Sequence, residues 1–236
     1  MKIDFHTHIL PGIDDGARSP DMAKTMLDKL SAQGVDTVVL TPHYYSHQKP
    51  IENFVEQQHE AYHLLRAMYT SSSPELILGA EVYFSDYLFN NRDLSMLCIE
   101  NTRTMLLELP YNKTIDDRML DKIDRLIGDY DIVPVIAHIE RYPTLLRNPR
   151  LLESIQDMGC FLQINLPSLT SFGKRRLASF VKNGYIGAIG TDAHNLTSRP
   201  ASYKEGYSFL EKNVSERVLK QLQRSMASLL RIKDEP

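Results

Sequence analysis

The first residues with chemistry in this chain are two histidines. An alternating apolar start, with Ile3 and Phe5, runs into His6 and His8, and a Pro11-Gly12 turn then leads to Asp14 and Asp15. Residues two apart on a strand share a face, so His6 and His8 project together, and the turn brings one of the two aspartates back toward them. Imidazole and carboxylate meeting at one point form a ligand set that zinc, manganese and iron accept. A His-x-His alone equally describes two half-buried strand histidines, so the other strand ends decide.

In parallel α/β architectures the side chains at the C-terminal ends of the strands converge on the ligand. The second apolar run here ends Leu-Thr-Pro-His, at His43. The third carries Glu81 after Gly79-Ala80, and the fourth sets Glu108 inside Met-Leu-Leu-Glu-Leu-Pro, where an unpaired carboxylate is costly. The fifth delivers His138 and, just beyond it, Glu140 and Arg141; the sixth ends in Asn165; the seventh ends in Asp192 and His194, again two apart. Six of seven runs thus end in His, Asp or Glu. With one of the aspartate pair they make roughly nine ligands, whereas one ion takes about four to six. Two or three divalent ions sharing a carboxylate are expected, with Glu81, central in strand order, as the bridge. Nitrogen and oxygen ligands without thiolate fit manganese, iron or zinc.

The elements that must position these residues alternate. Seven β-branched-rich runs span 2–6, 35–41, 76–83, 104–109, 132–138, 161–165 and 186–191. Ser19 and Pro20 open a helix whose apolar face is Ala23, Met26, Leu27 and Leu30 and whose end is marked by Gly34. Further helical periods cover about 51–69, 116–127, 148–158 and 172–181, and a last one runs through Val218, Leu219, Leu222, Met226 and Leu229, followed by a solvated Glu-Lys-rich end. Strands alternating with helices imply a parallel sheet with right-handed crossovers, closing as a barrel one strand short of the (β/α)₈ type. The 236 residues read as a single domain. The formal net charge of −3 gives no polyanion-binding signature, so nucleic acid is disfavoured. With no signal-peptide core or membrane-length apolar stretch, a cytoplasmic protein is expected and not an integral membrane protein.

Five segments in order carry a family resemblance: Asp-Phe-His-Thr-His with Pro-Gly-Ile-Asp-Asp-Gly-Ala, Thr-Pro-His, Gly-Ala-Glu-Val, Ala-His-Ile-Glu-Arg-Tyr and Gly-Thr-Asp-Ala-His. Over nearly its whole length the chain resembles the polymerase and histidinol phosphatase (PHP) superfamily. More closely, it resembles the bacterial manganese-dependent tyrosine-protein phosphatases encoded with capsular and exopolysaccharide genes. The resemblance implies a distorted seven-stranded (β/α)₇ TIM-like barrel, the PHP fold, with a trinuclear site. Its implied ligands are His6, His8, Asp15 rather than Asp14, His43, Glu81, Glu108, His138, Asp192 and His194. Arg141 and Arg199 are the implied phosphate contacts, and Arg141, Asp192 and His194 the implied catalytic residues.

Hydrolysis of phosphotyrosine by a metal-activated hydroxide follows from that likeness, on the tyrosine-rich tail of a bacterial kinase that regulates polysaccharide synthesis. A small-molecule phosphomonoesterase of histidinol-phosphatase type and a metal-binding regulatory domain without turnover are the alternatives. Tyr44, Tyr45, Tyr83 and Tyr142 follow ligand residues and are candidates for an aromatic rim, or else for loop packing. Cysteine-based catalysis is disfavoured. Cys98 is followed by Ile-Glu-Asn-Thr-Arg with no glycine to cradle an anion, and Cys160 opens an apolar strand. Both read as buried free thiols.

Overall fold

The apolar runs become parallel strands and the helical periods pack outside them in a computed structural model that describes residues 1–111, 113–171 and 173–232. The strands are β1 Ile3–Thr7, β2 Thr37–Leu40, β3 His43–Tyr44, β4 Glu75–Leu78, β5 Glu81–Tyr83, β6 Thr104–Glu108, β7 Val133–Ile136, β8 Phe161–Asn165 and β9 Ala188–Gly190. The helices are α1 Pro20–Ala32, α2 Ile51–Met68, α3 Asp117–Gly128, α4 Pro143–Arg147, α5 Pro149–Asp157, α6 Lys174–Lys182, α7 Lys204–Asn213 and α8 Glu216–Leu229. Strand orders are β1-β2-β4 and β3-β5-β6-β7-β8-β9, and each of these neighbours pairs in parallel.

Nine strand segments among the described residues stand where seven continuous strands are expected. The run at 76–83 is cut in two, and the run at 35–41 is followed by a further short strand just beyond it. Pro42, which has no N–H to donate, separates β2 from β3. Gly79-Ala80 separates β4 from β5, and a Cβ on Gly79 would lie 3.1 Å from Ile99 and 3.3 Å from Val39, so this backbone passes close beneath them. Each break moves the chain from the first sheet to the second, and the β3–β5 register then sets His43 beside Glu81.

The curled sheet also returns to its first strand. Asp192 donates its N–H to the His6 carbonyl at 2.8 Å, and His8 donates to the Ala193 carbonyl at 2.9 Å. Asp4 accepts from the Thr191 N–H and hydroxyl, both at 2.7 Å. A Cβ on Gly190 would stand 2.7 Å from the His6 nitrogen, so only glycine lets β9 come this close to β1.

The helix starts follow their caps. Ser19 accepts from the Met22 N–H at 3.3 Å, Asp116 from Met119 at 3.0 Å and Asn148 from Leu151 at 3.3 Å. The expected 172–181 helix is seen as α6; Phe172 lies outside the described residues, as does the Glu-Lys-rich end at 233–236. Helices α4 and α7 are additions to the sequence reading. No described helix is long and apolar enough to cross a membrane.

Candidate metal centre

The strand ends bring all nine candidate ligands into one cluster. From β1 and the residue after it, His6 and His8 aim their Nε2 atoms at Glu81 Oε2, each at 3.2 Å, and at Asp192 Oδ1, at 3.5 and 3.4 Å. His138 Nε2 lies 2.7 Å from Glu81 Oε1 and 3.8 Å from Glu108 Oε1. His43 Nδ1 lies 3.0 Å from Glu81 Oε2 and 3.9 Å from Glu108 Oε2. On the outer side, Asp15 Oδ1 stands 3.4 Å from His194 Nε2 and 3.6 Å from His43 Nε2.

Three groups have ligand atoms close enough to hold an ion: His6, His8 and Glu81; His43, Glu81 and Glu108; and His8, Asp15, His43 and His194. Glu81 belongs to two of them, as do His8 and His43. The base of the cluster is buried, whereas the Asp15 side chain is 66 % exposed and marks the mouth.

The donor set fits cations. His43 Nδ1 and His194 Nε2 are buried and lack a hydrogen-bond partner although both face carboxylates. Burial alone would raise the carboxyls of Glu81 and Asp192, yet the imidazoles around them, His6 foremost, hold both well below the usual carboxylate range. Burial likewise opposes charge on His6 and His8, but the neighbouring carboxylates raise both. This buried negative field asks for positive charge. His194 goes the other way: burial, then the charge of His8, pushes it down to about 3, which leaves a neutral ring able to donate a lone pair.

The outward side of each ring is also held. His8 Nδ1 donates to Asp14 Oδ2 at 2.7 Å, and His194 Nδ1 donates to the Asp192 carbonyl at 2.9 Å, so both turn Nε2 inward. Asp14 is thereby explained: its other oxygen takes the Gly16 N–H, and Oδ2 also takes the His43 N–H at 3.0 Å. Burial raises this carboxyl, but the His8 ring and the two amides outweigh it and bring it down to about 2. The β8 strand supplies amides instead of charges. Gln163 Oε1 accepts the His138 N–H at 2.6 Å and lies 3.4 Å from His6 Nδ1.

Arg141 and Arg199, with side chains 35 % and 36 % exposed, both donate to Asp192 Oδ2, which also accepts from Asn165 Nδ2 at 2.8 Å. His138 and Asp192 adopt positive φ, 32° and 55°, a backbone conformation that costs non-glycine residues about 1–3 kcal/mol and concentrates at functional sites. The tyrosines divide. Tyr45 and Tyr83 pack at 5.5 Å between ring centres near His43, while Tyr44 and Tyr142 are core residues, 1 % and 3 % exposed. Tyr111 was not anticipated: it donates to Glu108 Oε1 at 2.6 Å, accepts from Arg141 Nη1 at 3.0 Å and stacks on Tyr142. Its signal in the sequence is the same as for the others, a tyrosine just past a strand-end ligand residue. Burial pushes both thiols, Cys98 and Cys160, up to about 12, and neither touches the cluster.

A curled parallel α/β sheet with a His/Asp/Glu cluster at its strand ends that could hold metal is an arrangement suited to metal-dependent hydrolysis. Residues 2–230 match the family model described as "Capsular polysaccharide synthesis, CpsB/CapC", and the chain belongs to that family. It is 29 % identical to the tyrosine-protein phosphatase CpsB of Streptococcus pneumoniae, over 93 % of this chain and 94 % of that protein. It is also 29 % identical to the tyrosine-protein phosphatase YwqE of Bacillus subtilis, over 97 % of this chain and 91 % of that one. A crystal structure from work on YwqE and CpsB, described as unique metal-dependent tyrosine phosphatases, superposes with a TM-score of 0.78 at 26 % identity, covering 99 % of this chain and 97 % of that one.

Proposed function

We propose that this chain is a metal-dependent protein-tyrosine phosphatase. In this reading His6, His8, Asp15, His43, Glu81, Glu108 and His194, which make up the three groups, together with His138 beside Glu81 and Asp192 beside His6, hold two or three divalent ions, manganese first, with iron or zinc as substitutes. The three overlapping ligand groups carry this reading, and Glu81 is its bridge. The interrupted strands are the staves of a distorted seven-stranded barrel, each broken run making one stave. The substrate is the phosphotyrosine tail of a bacterial tyrosine kinase in the cytoplasm.

Ions held there supply an activated water and neutralise charge on a phosphoryl group. The chain's own residues do the rest. Arg141 and Arg199 present guanidinium forks that match phosphate oxygens, and both stand partly exposed beside Asp192. Tyr111 fixes Arg141 from the other side. The leaving phenolate has a conjugate acid near about 10 and needs less protonation than an alkoxide. The exposure of Asp15 and the two arginines supports a protein substrate over an enclosed metabolite.

The test is turnover of a phosphotyrosine peptide beside histidinol phosphate, with manganese added and then chelated. Peptide hydrolysis should require the ion, and Arg141→Ala should lose about 10²-fold in kcat/KM. Glu81→Ala should lose more than one ion per chain by metal analysis. Absence of hydrolysis with ions demonstrably bound removes the enzyme reading, and loss of one ion or none removes Glu81 as the bridge.

A further inference from the structure

We propose that the face formed by α4, the start of α5 and α6 binds an acidic stretch of the polypeptide that bears the phosphotyrosine, an inference that rests on the phosphatase reading above. From Arg141 to Leu152 the chain has three arginines and no carboxylate; from Met158 to Thr191 it has four basic residues and again no carboxylate. The whole chain carries −3, so this is segregation of charge and not general basicity. Arg147, Arg150, Lys174, Arg175 and Arg176 are exposed, and no carboxylate pairs with any of them among the described residues.

On α5 and α6 the placement opposes the helices' own electrostatics, whereas Arg147 lies in the last turn of α4. An acidic residue sits in the first turn of α1, α2, α3, α7 and α8: Asp21, Glu52, Asp117, Glu205 and Glu216. The helices of this face have none there. Instead α5 carries Arg150 and α6 opens Lys174-Arg175-Arg176 after Gly173, which offers no side-chain cap. A cation at the positive end of a helix is unfavourable. Cations that no carboxylate balances among the described residues, and that on α5 and α6 stand at the unfavourable end of the helix, are features kept for something outside the molecule.

The face is continuous with the metal centre. Arg176 donates to the Leu146 carbonyl, which pins the first turn of α6 to the last turn of α4, and α4 begins two residues beyond Arg141. Arg147 is six residues beyond Arg141, a span of at most about 20 Å, the reach of about six residues of extended peptide. A phosphotyrosine seated at Arg141 therefore lays its more distant neighbours over this surface. Leu177, Ala178, Phe180 and Val181 of α6 are buried, so the face has charge without an apolar edge to insert, which favours an acidic polypeptide over a lipid bilayer.

The experiment compares phosphotyrosine peptides with acidic, neutral or basic residues about three to eight positions from the phosphate. Native protein and the triple variant Arg147→Glu, Arg150→Glu, Arg175→Glu are assayed, with a small aryl phosphate as control for the folded centre. For native protein the acidic peptide should show a KM about tenfold below the neutral one at low ionic strength, and this advantage should vanish in the variant and toward 1 M salt. Turnover of the aryl phosphate and kcat for the neutral peptide should not change. Equal KM values across peptides in native protein, or an acidic preference that survives in the variant, would overturn the proposal. So would native-only binding to anionic vesicles or duplex DNA without a peptide preference, which would give the face another occupant. No turnover of the neutral peptide and the aryl phosphate would remove the phosphatase reading, and this inference with it.

Discussion

Gln163 joins three parts of the centre's framework, yet it offers no charge. Its Oε1 takes the His138 N–H and faces His6 Nδ1, and its Nε2 donates to Asn165 Oδ1 at 2.9 Å, with Asn165 then holding Asp192. A neutral amide accepts and donates at once; a carboxylate in its place would lose the bond to Asn165. Gln163→Ala should weaken manganese binding by about 10–100-fold, read by titrating the ion into metal-free protein. Unchanged affinity would mean that the backbone alone holds His138 and His6. Charged residues at strand ends are legible in sequence because a carboxylate in an apolar run is an expensive anomaly. Gln163 is not, since a polar residue between Leu162 and Ile164 reads as ordinary alternation. Asp14 and Asp15 could not be separated by pattern either, because two neighbours in a turn differ only in which way each side chain faces.

At the level of elements, caps and stops carry their own chemistry, and α1, α3 and α5 begin where Ser19, Asp116 and Asn148 say they should. Helix α7 was hidden by its own contact. Gly206 lowers helix propensity by about 1 kcal/mol relative to alanine, but a Cβ there would lie 2.3 Å from the Leu166 carbonyl oxygen, so glycine is what lets α7 rest on the 3₁₀ turn at 166–170. Gly206→Ala should therefore destabilise despite its better propensity, by about 1–3 kcal/mol, and a thermal melt should fall by several degrees. A higher melting temperature would mean that α7 sits farther from that turn. The cut at Gly79-Ala80 is hidden because hydrophobicity continues across it, and what changes is only which sheet receives the hydrogen bonds.

For the whole molecule, alternation of strand and helix was enough to foresee parallel pairing and convergence at one end. Net charge was not enough to foresee the basic face, because −3 is a sum over the chain that holds no information on where the charges stand. The buried carboxylates set a second property of the whole. Ions that bind only the folded chain stabilise it by about 2.7 kcal/mol at a hundred times Kd. For a chain of this size that is a melting temperature about 5–10 °C higher with manganese than after chelation. Differential scanning fluorimetry checks this, and coincident melts would show that the cluster folds as well without ions as with them.

The bond between Asp4 and Thr191 spans 187 positions. Ribosomes emit about 5–20 residues per second, so the opening strand waits on the order of 10 s for the partner that seals its edge. Until then one flank of β1 lies bare and His6 and His8 lack Asp192. A chain halted before Thr191 therefore lacks the contacts that seal β1 and the aspartate that faces His6 and His8.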